Sequence, residues 1–142
     1  MSGTSDRLQI ALAAENAAIY AYGVIGAQLD DDELVRARDA DLAHRRQRDA
    51  TADLITAEEA TPSPAAPAYT LPKPVTDRAG ALALAVEIET RSAAVWRSTL
   101  GALTGDARTV ALDALTDAAV RGAQWRALAS PGKPPTLPWP GS

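Results

Sequence analysis

An all-α four-helix bundle with one long connection is the fold class that this sequence predicts. Three observations predict it: apolar residues recur at helical spacing in four stretches, short turns join those stretches in two pairs, and a proline-rich link separates the pairs. Composition agrees. Alanine and leucine dominate the 142 residues, phenylalanine is absent, and valine and isoleucine are few, which favours helix over sheet. A chain of this length suffices for one core, and an alanine-rich one lets helix axes approach closely, with Trp96, Trp125, Tyr20 and Tyr22 supplying bulk.

In the first helix, residues 5–29, the stripe is Leu8, Ala11/Leu12, Ala18/Ile19, Tyr22, Ile25/Gly26 and Leu29, with Ser5 as the expected N-cap. Asp30 and Glu33 then read as a capping box opening a second helix, residues 31–59, with Leu34, Ala37, Thr51/Ala52 and Ile55 inward. Thr76 is expected to cap a third helix over 77–103, carrying Leu82, Val86, Ala93, Trp96, Leu100 and Leu103. A break at Thr104-Gly105 starts a fourth over 106–129, with Ala111, Leu115, Ala118, Gly122, Trp125 and Leu128, and Pro131 ends it. Residues 1–130 thus form the bundle and 131–142 a proline-rich tail.

Connection lengths predict the topology. Short turns make helices one/two and three/four antiparallel hairpins. The link over residues 60–76 holds five prolines and about 17 residues. At ~3.1 Å per residue it spans ~50 Å, longer than a helix of ~25 residues at 1.5 Å each. That reach suits a crossover running the length of the bundle, the mark of a ferritin-like arrangement.

Several function classes are excluded or disfavoured. A net charge of −4 opposes a general nucleic-acid coat. With no cysteine, disulfides, thiolate metal sites and cysteine nucleophiles are impossible. No basic and apolar leader precedes the first stripe, and no segment is expected to be long and apolar enough to cross a bilayer. A cytoplasmic location follows as the expectation. No Gly-rich phosphate loop, Ser/His/Asp triad or zinc motif is present.

The informative residues interrupt the apolar stripes near mid-helix. Glu15 lies one heptad after Leu8 and one before Tyr22, and Glu89 holds the same relation to Leu82 and Trp96. The second helix offers Asp41, His44 and Arg48, and the fourth Asp117, with Asp113 and Arg121 on nearby turns. Buried carboxylates need partners. A di-metal centre takes a Glu from each of two helices and Glu-x-x-His from each of the others. With Glu15, Asp41, His44 and Glu89 as candidate iron or manganese ligands, and a single histidine in the chain, a full two-histidine site is impossible. The alternative partner is arginine. The expectation is therefore a metal-free, cofactor-free polar cluster of Glu15, Asp41, His44, Arg48, Glu89 and Asp117, with Arg48 neutralising two carboxylates at once.

Other features are weaker. Arg45-Arg46-Gln47-Arg48 resembles a phosphate patch, but on a helix these side chains diverge. Tyr20 and Tyr22 near Glu15 suggest oxidase chemistry, whereas tyrosine at helical spacing is usually core. Leu137 and Trp139 in the proline-rich tail are expected to pack on the bundle or on a second subunit.

Residues 13–23, 44–49 and 69–72, Glu89 before Trp96-Arg97, and Leu115–Val120 before Trp125-Arg126 together resemble the ferritin-like family called domain of unknown function 4439. The resemblance spans almost the whole chain, and none of its motifs is a catalytic signature. It implies a ferritin-like bundle, dimeric and of actinobacterial type, with no established activity. Where many relatives have Glu-His, this chain has Glu15-Asn16, which removes a second imidazole. The functional expectation is a non-enzymatic structural, interaction or small-ligand-binding homodimer. A ferritin-type oxidase or storage protein is the alternative. Apolar residues on both faces of the first helix, with Leu137 and Trp139, motivate the homodimer.

Overall fold

The computed structural model describes residues 3–134 and contains no strand among them. Helix α1 is Gly3–Gly26, α2 Asp31–Ala57, α3 Arg78–Thr99 and α4 Gly105–Ala129, with a 3-10 turn at Leu100–Ala102 before α4. Four helices stand where periodicity places them. Leu137 and Trp139 lie outside the described residues.

The helix ends depart from expectation for local reasons. Ser5 is no cap, because α1 is already helical at Gly3 and Ser5 is buried inside it. Asp30 holds the α2 cap position with extended backbone, but its side chain makes no cap bond, so the capping box does not form. The backbone bond from Leu34 N to Asp30 O, at 3.2 Å, closes that turn instead. Cap duty at α3 falls to Asp77 rather than Thr76, with Asp77 Oδ1 accepting from Gly80 N at 2.8 Å. Helix α3 also ends early, because its last turn tightens into the 3-10 turn.

Helix α2 stops at Ala57 in a Schellman turn. Ala60 N donates to Ile55 O at 3.2 Å, Glu59 N donates to Thr56 O at 3.0 Å, and Glu59 takes φ 59°. A side chain in that conformation costs roughly 1 kcal/mol. Ala60, packed on the core just beyond it, helps hold the turn.

Helix α1 packs on α2 and α3, while α4 packs mainly on α3 and only lightly on α2. Polar contacts fix which ends meet. Thr4 Oγ1 donates to Ala102 O at 3.1 Å, so α1 begins beside the end of α3. Arg78 donates twice to Glu33, each at 2.7 Å, so α2 and α3 begin at the same end of the bundle. Residues 58–77 contain no helix, and they touch α1 in sequence. Gln9 donates to Thr61 O at 2.8 Å and accepts from Ser63 N at 3.0 Å, and the Tyr69 ring lies 5.6 Å from that of Tyr20. Leu71 and Val75 then pack on the apolar cluster that includes Ile25 and Leu29.

The core has two apolar halves. One gathers Tyr22, Ile25, Leu29, Leu82, Leu84 and Trp125 among small alanines; the other holds Leu8, Leu12, Ile55, Trp96 and Leu103. Glu15, His44 and Glu89 fall between them.

One sequence expectation is overturned. Helix α1 is long and apolar enough to cross a membrane by length and composition, with an 18-residue window of mean hydropathy 1.3. A single carboxylate, Glu15, among alanines and isoleucines does not lower the average enough to prevent it. Half of that window is buried inside the bundle.

Candidate functional site

Each helix delivers one or two side chains to the layer between the apolar halves. Glu15 comes from α1, His44 from α2 and Glu89 from α3, and all three are essentially inaccessible, at 1%, 0% and 0% exposure. Their depth follows from spacing. Glu15 sits seven residues from both Leu8 and Tyr22, and Glu89 seven from both Leu82 and Trp96, so they share the core-facing stripe.

His44 bridges the two carboxylates. Its Nδ1–H donates to Glu15 Oε2 at 2.6 Å, and its Nε2–H donates to Glu89 at 3.0 Å (Oε2) and 3.2 Å (Oε1). Trp96 Nε1 donates to Glu15 Oε1 at 2.8 Å. Tyr22 OH donates to Glu89 Oε2 and accepts from Trp125 Nε1 at 2.9 Å. The Tyr22 ring also stacks on the imidazole, centroids 5.6 Å apart. Arg121 completes the layer from α4, its Nε 3.1 Å from Glu89 Oε1 in an ion pair that is not aligned as a hydrogen bond. Gly122 keeps α4 close: a Cβ there would stand 3.5 Å from the Glu89 Cβ and 3.3 Å from the tip of Arg126.

Electrostatics within the layer are self-consistent. Burial alone would disfavour a charged imidazole, but hydrogen bonds to Glu15 and Glu89 and their charges outweigh it and raise the His44 pKa to about 9. Burial likewise works against the Glu89 charge, yet His44 first, then Arg121 and Tyr22, hold its carboxyl below the usual carboxylate range. The Tyr22 hydroxyl is pushed well above its ordinary value, by burial and then by the neighbouring Glu89 charge. With its pKa raised to about 9, His44 is an imidazolium at neutral pH, held between Glu15 and Glu89; Trp96 donates to the second oxygen of Glu15, and Tyr22 shares Glu89 Oε2 with the imidazole.

Of the residues expected to cluster, the structure brings Glu15, His44 and Glu89 together and leaves three outside. Arg48 is a correction: it donates to Asp49 at 2.9 Å, because the inward position after His44 is Thr51, one heptad on and fully buried. Asp41 is a second: it lies at the bundle edge, where Arg45 Nε donates to its Oδ2 at 3.1 Å, since Ala37 and Ala40 take the inward positions. Asp117 is the third, exposed beside buried Ala118. Arg121, a secondary candidate by sequence, supplies the arginine instead. Core spacing alone accounts for Tyr22, Trp96 and Trp125 as bulk and is silent on the hydrogen bonds that their polar atoms make. The signal was present in the heptad steps Glu15–Tyr22 and Glu89–Trp96.

Beside Tyr22, a groove of about 310 Å³ between α1 and α2 is walled by Ile19, Gly23, Leu34 and Asp41. Asp41 Oδ1 is buried there with no hydrogen-bond partner among the described residues. Those residues hold no group of three or more carboxylates and imidazoles arranged to take a metal ion.

The family model described as "domain of unknown function" 4439 matches residues 7–142. The chain belongs to the domain of unknown function 4439 family. A solved structure of a conserved hypothetical protein from Mycobacterium tuberculosis is similar to it, with 36% sequence identity and a TM-score of 0.84. The match covers 90% of this chain and 99% of that one. A comparison with curated proteins finds no match.

Proposed function

We propose that this protein of the domain of unknown function 4439 family is a non-enzymatic structural or interaction bundle of ferritin-like build, with a metal-free ionic layer in place of a di-metal centre. One observation carries the reading: both ring nitrogens of His44 are committed to carboxylates, at 2.6 and 3.0 Å. An imidazolium has no lone pair for a metal. Arg121 adds a fixed positive charge where the fourth helix of a di-metal bundle brings Glu and His. With Asp41 turned to Arg45, the set Glu15, Asp41, His44 and Glu89 does not fit iron or manganese.

The ferritin-like label rests on the connection between α2 and α3. Its successive contacts with Gln9, Tyr20 and the cluster around Ile25 support a lengthwise crossover, as does the Arg78–Glu33 pair that joins the starts of α2 and α3. In this reading residues 1–130 are one bundle and 131–142 a tail. The bundle is a cytoplasmic homodimer with no nucleic-acid partner, and the groove beside Tyr22 is where a small ligand would sit.

Metal analysis of the purified protein after loading with iron(II) and manganese(II) tests the assignment. Only trace, substoichiometric metal is expected. Stoichiometric metal that His44→Ala or Glu89→Ala releases would establish the oxidase or storage alternative instead.

A further inference from the structure

We infer that the outer face of α2 is a self-complementary surface on which a second copy of this chain docks antiparallel, with the two-fold axis at Leu42. The inference deepens the homodimer reading above, and it rests on that reading.

Val35, Asp39, Leu42, Arg46 and Asp49 follow one another at steps of three and four residues, and all are exposed. At 100° per residue they form one narrow stripe along the helix. Two members are large apolar groups left open to solvent, Val35 at 54% and Leu42 at 46% exposure. The stripe faces away from α1, which packs on the opposite side of α2 through Ala37, Ala40 and His44.

The charges on the stripe are unspent. Among the described residues Asp39 and Arg46 have neither an ion-pair nor a hydrogen-bond partner, although Asp41 and Asp49 beside them are paired with Arg45 and Arg48. Asp39 and Arg46 are seven residues apart, one step either side of Leu42. A parallel or offset neighbour would not pair both. An antiparallel copy centred on Leu42 puts Asp39 opposite the partner's Arg46 and Arg46 opposite the partner's Asp39, with Leu42 against its own equivalent. Such an interface is isologous, so each contact occurs twice. The order acid, apolar, base along one helix face therefore reads as its own complement when reversed.

Sedimentation of the full chain at micromolar concentration tests this, with circular dichroism to establish that each variant is folded. The wild type is expected at twice the chain mass. Asp39→Arg and Arg46→Asp each create like-charge pairs twice over, and each is expected to weaken the dimer at least tenfold; Leu42→Glu is expected to abolish it. The double exchange D39R/R46D restores the opposite-charge pairs and should return the dissociation constant to within a few-fold of wild type. A monomeric wild type overturns the homodimer reading and this surface with it. A wild-type dimer indifferent to all three single substitutions leaves the homodimer standing and overturns the surface. Single variants that dissociate without rescue in the double exchange overturn the antiparallel register.

Discussion

Replacing His44 with alanine is expected to destabilise the fold by about 3–5 kcal/mol, the usual penalty for removing one partner of a buried ion pair. Glu15 and Glu89, at 1% and 0% exposure, would lose the donor they share and keep only Trp96, Tyr22 and Arg121. Against a typical domain stability of about 5–15 kcal/mol, that is a large fraction of the total. Urea unfolding followed by circular dichroism at pH 7 reads it directly. Arg48→Ala is the matched control, because its side chain reaches only Asp49 at the surface and the expected change lies within about 0.5 kcal/mol. Equal losses in the two variants would mean that the layer is not organised around the imidazole.

The second large effect is on the pH dependence of stability. His44 has a folded pKa of about 9 against an ordinary 6.5, so the folded state holds its proton more tightly than the unfolded chain does. Its contribution is complete below about pH 6.5 and is lost as pH rises through about 9. The pKa difference corresponds to about 3 kcal/mol. Glu89 works in the opposite direction: its folded carboxyl is held below the usual 4.5, so its contribution is present above that pH and is lost on acidification. Stability should therefore be greatest between the two limbs. The alkaline limb should vanish in His44→Ala while the general acid sensitivity of the fold persists. A flat wild-type profile between pH 6.5 and 9 would contradict the charged imidazole.

Much of this arrangement was legible in the sequence, and the failures share one physical cause. Glu15 and Glu89 were placed in the core because apolar residues one heptad before and after each fix the rotation of α1 and α3. Helix α2 offers no such frame. Its residues 41–48 contain only Leu42 and Ala43 as apolar members, and Leu42 points outward. A helical stretch that is polar nearly all round leaves its rotation undetermined to within a residue or two, enough to place Arg48 and Asp41 inward when Thr51 and Ala40 hold those positions. On α4 the inward positions belong to Ala118 and Gly122, so Asp117 faces solvent and Arg121, one turn further along, reaches Glu89 by the length of its side chain. Cap assignments failed more narrowly. Thr76 and Asp77 are both good N-caps, and only the backbone at Asp77 decides between them. The donors on Trp96, Tyr22 and Trp125 were hidden because bulky aromatics at core spacing are explained fully by packing. Their polar atoms matter only once a carboxylate on a neighbouring helix is known to lie within reach.

The layer's chemistry supplies its own positive charge at the centre of the bundle. A buried carboxylate pair at mid-bundle requires positive charge, whether from cations or from side chains. Here one imidazolium lies between the carboxylates, and a guanidinium from α4 flanks the second. The same stripes of alanine, leucine and tryptophan then close the core above and below.

The protonation state of His44 is the most direct test of that account. Nitrogen NMR of the imidazole at pH 7, before and after addition of one equivalent of zinc(II), measures it at the two atoms concerned. Both nitrogens are expected to carry protons, to remain protonated until about pH 9, and to show no change on adding the metal. A neutral imidazole at pH 7 whose signal shifts on binding zinc would contradict the account, and would make Glu15, His44 and Glu89 metal ligands.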